Sequence, residues 1–348
     1  GNIFINFLFD DRLRYDVELA YSTLDSGYIF TDKALQYDPG NREALRLRGQ
    51  YYQRIGNHKE ANMYIEASFR NMTRSYGDYE WETLSYLEYD NYSPGIQSYL
   101  KFLDLKPADT DIPPDLVHSV WEAFLETGFF DLALQQADLH LALTGDYDQY
   151  YWRMSILERW QGHHQAAQEY TVERWKMNSS SSAYLRWSIS NYIYMNEFDS
   201  AYNYMHLLET ERKQAGKDLT PDFLYGWIYL ERGQISDANY HLQGFISEQK
   251  KRLEMRTPDS QKGYTHLYLG FAYSILNDTT NTLKHIEYAN DCSLLNKGWI
   301  YDLEYLSSFD FIRNTPQFKR IRKKLEKAYL REHRRISRLL RQNNYPTS

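Results

Sequence analysis

Few residues in this chain have the type and spacing that chemistry requires. His163-His164 is the one adjacent histidine pair. It falls in a predicted turn with no third ligand in register, so it reads as exposed. Thr144-Gly-Asp-Tyr-Asp148 holds two acids, but not at the spacing of a calcium loop. A lone cysteine, Cys292, excludes an intrachain disulfide and a zinc knuckle, and reads as a small packed residue at a helix end. The chain contains no His-Glu-x-x-His, no glycine-rich phosphate loop, no Gly-x-Ser-x-Gly elbow and no EF-hand loop. The Asn-x-Ser/Thr triplets at Asn71, Asn91, Asn178 and Asn277 are ordinary for so Ser- and Asn-rich a chain. The expectation is therefore no catalytic residue, no metal and no cofactor. An enzyme would need a site assembled only by the folded array.

What the chain has in quantity is aromatic surface: 33 Tyr and 8 Trp against 16 Phe. A tyrosine packs its ring and keeps its hydroxyl wet, which suits a thin body with many half-buried positions. At 348 residues the chain is long for one globular core, so two domains or one elongated array is expected. Mean hydropathy is −0.71 and no stretch approaches the length of a membrane span. The apolar start at residues 2–9 is short, is broken by Asn6 and lacks the basic lead of a signal peptide. The first residue is Gly rather than Met, which reads as a cloning scar or a processed end.

The elements that position these side chains are announced by a recurring spacing. Gly49, Tyr52, Gly56 and Ala61 return as Gly226, Tyr229, Gly233 and Ala238. Near Gly270 the pattern keeps Tyr273, but Asn277 and Thr282 replace the second Gly and the Ala. Such a repeat decides the architecture. Small residues let two helices approach, large ones fill the space beside them, and the second Gly takes the left-handed conformation that ends a helix. Each hairpin can bury its apolar face only against its neighbours, so one continuous core is expected.

On these residues the chain resembles the tetratricopeptide repeat (TPR), a helix–turn–helix unit of about 34 residues. The clearest unit is 42–75, with Leu45, Gly49, Tyr52, Gly56, Ala61 and Ile65. Units at 114–147, 148–181, 182–215, 219–252 and 263–296 follow, and a pair beginning near Leu8 ends at Ala34 and Pro39. Residues 76–109 fit weakly, through Tyr86, Tyr99 and Pro107. The expected fold is all-α: a right-handed α-α superhelix, a TPR-like solenoid, of about eight helical hairpins. It occupies residues 1–296, continuous with a C-terminal capping segment at 297–345. Loops are expected at 106–114, 178–182, 214–218 and 254–260.

The resemblance implies a binding scaffold with a concave side lined by first helices. Carried over by register, that side receives Trp152, Arg159, Trp160, Arg186, Tyr194, Phe223 and Trp227. Aromatic and Arg residues are the usual anchors of interfaces. Such a wall suits a segment with apolar side chains and an acidic group, the guanidinium groups holding the carboxylate by forked hydrogen bonds. Two arrangements remain open: a peptide groove, or a tighter superhelix with the terminal helix folded back over these residues. The expected partner is a protein or peptide. The alternatives are a carbohydrate-binding or enzyme-accessory role with Trp152, Trp160 and Trp227 stacked on sugars, and a purely structural assembly subunit.

Phe311, Ile312, Arg313, Pro316 and Phe318 resemble the closing element of bacterial signalling proteins, in which such repeats follow a regulatory, cyclase or TolB-like domain. That implies the sensing or docking part of a larger regulator, periplasmic if a transmembrane helix lies upstream and cytoplasmic otherwise. Residues 313–341 hold twelve Lys or Arg and two acids, a net +10. The remainder, with 28 basic and 45 acidic residues, carries −17. Three readings fit the tail: a solvated amphipathic cap, docking on the acidic body or on a second copy, or contact with nucleic acid or anionic membrane. The acidic body argues against nucleic acid as the main partner.

Overall fold

A computed structural model describes residues 17–54, 57–70, 73–88, 90–177, 183–214, 222–254, 263–291 and 297–345. The described residues are all-α, without a strand. Helix α1 (Val17–Tyr37) precedes seven antiparallel hairpins. These are α2/α3 (Arg42–Arg54, His58–Ala67), α4/α5 (Tyr76–Leu87, Tyr92–Leu105), α6/α7 (Pro114–Glu126, Phe130–Thr144) and α8/α9 (Tyr147–Trp160, His164–Met177). They continue as α10/α11 (Ala183–Tyr194, Phe198–Gln214), α12/α13 (Phe223–Glu231, Ile235–Glu254) and α14/α15 (Tyr264–Ile275, Thr279–Asp291). Stacked side by side, they form one superhelical array. Then come α16 (Lys297–Tyr305), a 3₁₀ turn (Ser307–Phe309), α17 (Asp310–Arg313) and the long α18 (Pro316–Gln342). The first helix of the expected pair near Leu8, the turn at Gly56, Cys292 and the loops at 178–182, 215–218 and 255–260 lie outside the described residues.

The repeat spacing works as its chemistry requires. A Cβ on Gly49 would stand 2.7 Å from Ile65 Cγ1, and one on Gly226 2.5 Å from Leu242 Cγ. Ala61, Ala133, Ala167, Ala201 and Ala238 are buried against the first helix of their pairs, and Thr282 fills the same place at 0% exposure. Gly128, Gly162 and Gly233 take the left-handed turn, and Asp90, Asn196 and Asn277 take it where glycine is missing. Asx-type side chains tolerate that region best among non-glycine residues. The weakly fitting unit at 76–109 is a full hairpin. Its close approach is made by Gly95, whose Cβ would meet Leu87 Cδ2 at 2.3 Å. The hairpin begins on a capping box, with Ser75 and Asp78 satisfying each other's backbone N–H.

Residues 297–345 do not stack as another hairpin. Helix α18 starts on a Thr315 cap with Pro316 in its first turn, then runs back along the array. Near its start Arg320 pairs with Glu287 of α15, and at its far end Tyr345 packs on Tyr99 and Phe124 of α5 and α6. Between them the Glu332 carboxylate accepts from the Ser93 backbone N–H at 2.9 Å, and Tyr329 and His333 reach the Thr127 carbonyl oxygen at 3.2 and 2.7 Å. Ser307 of the 3₁₀ turn donates to Asn196, and Ser308 bonds to Ser274. Ser93, Thr127, Asn196 and Ser274 lie at the turns inside the second, third, fifth and seventh hairpins. The C-terminal segment is therefore a strap laid across the row of turns, burying Phe309, Ile312, Phe318, Ile321, Leu325, Ile336 and Leu340.

Candidate partner-binding wall

The first helices α6, α8, α10, α12 and α14 lie in sequence, and their contacts build one wall. His118 and Trp121 of α6 meet Trp152 of α8, with ring centroids 6.0 and 5.4 Å away. Arg159 of α8 donates to Ser190 Oγ of α10 at 3.0 Å and lies 4.5 Å over the Trp187 ring. Arg186 of α10 pairs with Asp222 at 2.9 Å, the residue that caps α12. Phe223 of α12 stacks on Phe271 of α14 at 5.8 Å and reaches Tyr268 at 6.3 Å.

The strap covers one part of this wall and leaves the other open. At the turn-side ends of α8 and α10, and at Tyr264 and Phe271 of α14, α16 is the occupant. Tyr194 donates a short hydrogen bond to Asp302, and its ring stacks on His164 at 5.2 Å. His164 Nε2 is 2.7 Å from the Tyr301 hydroxyl. Trp299, Ile300, Tyr301 and Leu303 are buried beside them. The chemistry expected of a ligand, apolar side chains around one carboxylate, is thus supplied from within the chain.

Burial governs the electrostatics here. Asp302 is pushed up to about 6, because burial opposes its charge more than the Tyr194 hydroxyl and Arg159 favour it. Burial also raises Tyr194 and lowers Arg159 and His164. At the end of α6, Glu126 is pushed well up by burial and then by Asp90, Glu122 and Asp302. Farther along, buried Arg153 donates to His118 Nδ1 at 3.0 Å and His140 Nδ1 at 3.1 Å. Both imidazoles accept, so both are neutral. Burial and then the Arg153 charge pull His118 down to about 4.

The seven register-derived residues therefore divide. Arg159 and Tyr194 meet under the strap, with Arg159 7% exposed. Trp160 is half-buried against the core formed by α5 to α8. Trp227 is 3% exposed, packs on Phe198 and donates to Glu231 at 3.1 Å, so it is a core residue. Helix α12 is only nine residues long and is buried on both faces, from Tyr225 to Tyr229. A concave register position there gives no access. Trp152 and Phe223 are half-buried, and the Arg186 side chain is 53% exposed. With Tyr268 at 39% exposure they form the open half. The register missed His164, Tyr301, Asp302 and Tyr268. The sequence places both His163 and His164 in an exposed turn; only His163 is there, paired with Glu158 at 2.8 Å.

No family model matches the chain, and no match was found among curated proteins. Among solved structures it is similar to PilW, a widely conserved type IV pilus biogenesis factor. That likeness has 16% identity and a TM-score of 0.44, over 60% of this chain and 92% of that one. It is similar to the C-terminal part of a TPR repeat-containing protein from Cytophaga hutchinsonii, with 14% identity and a TM-score of 0.42, over 87% and 100%. It is also similar to the P58(IPK) TPR domain, with 15% identity and a TM-score of 0.27, over 99% and 98%.

Proposed function

We propose that the chain is a non-catalytic protein-interaction scaffold that binds a partner segment along the open half of the first-helix wall. The observation that carries this is the sequence of side chains there. Trp152, Arg186, Phe223 and Tyr268 come from four consecutive first helices, and Arg186 keeps about half its surface in water although it is paired. A partner with apolar side chains and a carboxylate would stack on the rings and share or take the Arg186 fork from Asp222. The likeness of residues 309–318 to the closing element of bacterial signalling proteins supports a docking region within a larger regulator. Sugar stacking on three tryptophans is disfavoured, since Trp227 is 3% exposed.

Intrinsic tryptophan fluorescence, titrated with a library of short acidic–aromatic peptides and with oligosaccharides, tests the reading. Peptides should change the signal, and Arg186→Ala or Phe223→Ala should weaken the best of them about tenfold or more. Melting temperature should change little for Arg186→Ala. A response to glycans alone, or peptide binding indifferent to both substitutions, would overturn it.

A further inference from the structure

The outer face of α18 serves neither the wall nor the core. Lys323, Lys327, Arg331, Arg334, Arg338 and Arg341 follow one another at steps of three and four residues, and all six are exposed. That spacing puts them on one face, about 27 Å long at the rise of an α-helix. None of the six makes an ion pair with a described residue. Arg334 and Arg341 spend their Nε–H on carbonyls of their own helix, at 3.0 and 3.2 Å. Both acids of the helix are directed elsewhere: Glu332 to Ser93 and Arg335, Glu326 to Arg322. The opposite face is anchored by Phe318, Ile321, Leu325, Ile336 and Leu340, so the row is held straight and turned outward.

We propose that this face is a docking surface for an anionic lipid bilayer, which α18 meets lying flat. Two features favour lipid over nucleic acid or an acidic protein. A straight row of cations meets a plane of phosphates along its whole length. Leu330 sits inside the row, 48% exposed. Among phosphates in water an apolar side chain there gains nothing. At a membrane surface it enters the interfacial zone while the surrounding cations stay at headgroup level. Because the apolar face of α18 is already buried in the protein, attachment is electrostatic and reversible, and therefore sensitive to salt.

Sedimentation of the chain with vesicles tests this. Vesicles of phosphatidylcholine with phosphatidylserine should carry it down at low ionic strength. Phosphatidylcholine alone should not, and added salt should release it. Lys327→Gln/Arg331→Gln should weaken binding about twenty-five-fold, near fivefold per charge. Leu330→Ala should weaken it further while the melting temperature holds. A control pair off the row, Lys59→Gln/Lys101→Gln, changes net charge equally and should leave binding intact. Equal loss with the control pair, binding to neither vesicle, indifference to Leu330→Ala, or displacement from vesicles by a DNA or RNA duplex would each overturn the proposal.

Discussion

Two glycines of the same hairpin have different jobs, and substitution separates them. Gly226 lies where α12 and α13 approach, and an added methyl would meet Leu242 Cγ at 2.5 Å and the Ala238 carbonyl oxygen at 3.3 Å. Alanine improves helix propensity by roughly 1 kcal/mol, but overpacking a site against a buried leucine and backbone costs about 1–3 kcal/mol. Gly226→Ala should therefore lower the melting temperature despite its propensity. Gly233 has open space around its Cβ and a φ of 73°. Gly233→Ala should cost about 1 kcal/mol, from the left-handed backbone alone. A rise in melting temperature for Gly226→Ala would sink the close-approach reading. Asp302 gives a second test. Its folded pKa is about 6, above an unfolded value near 4, so the native state binds more protons between them. Stability from this group is therefore highest below about pH 4 and falls as pH rises through 6, by about 3 kcal/mol. Denaturant titrations of wild type and Asp302→Asn should differ by that slope, with the variant flatter.

The hairpins were legible because their signals are local. A small residue, an aromatic and a turn glycine at fixed steps describe one unit wherever it stands. The 76–109 unit looked weak only because Gly95 and Asp90 replace the usual Ala and Gly, each meeting the same steric demand. The strap was legible only as one of two open arrangements, a terminal helix folded back over the first-helix residues. Helix α18 could be read as amphipathic, but which surface it covers depends on the curvature accumulated over seven hairpins, and no local pattern encodes that. For the same reason neither Asp302 with Tyr194 nor His164 with Tyr301 could be paired in advance, since 108 and 137 positions separate them. The strap's own anchor can be measured. Ser93→Ala and Glu332→Ala should each cost about 1–2 kcal/mol, because each leaves a partly buried polar partner behind. Their double-mutant cycle should show coupling above about 0.5 kcal/mol. Additive losses would mean that the contact does not fasten α18.

An open array of stacked repeats unfolds as a chain of neighbours, and its ends can fray independently. Here one helix joins the seventh hairpin to the second and third, through Glu287 at one end and Ser93 and Tyr345 at the other. Loss of any hairpin between them should release the rest. Urea unfolding followed by far-ultraviolet circular dichroism and by tryptophan fluorescence should give coincident transitions for the intact chain. A truncation after Tyr305 should separate the two curves. Separate curves for the intact chain would mean that the strap couples nothing.

The strap's position also sets a timetable for synthesis. Ser93 and Glu332 are 239 residues apart, and a ribosome adding about 5–20 residues per second needs on the order of tens of seconds to span them. During that interval the hairpins can pair one after another as they emerge, while the row of turns stays uncovered. Its apolar side chains are then available to chaperones or to a neighbouring nascent chain. Closure waits until α18 has been made, and a stop codon or frameshift just before residue 297 would leave an array of hairpins that never closes.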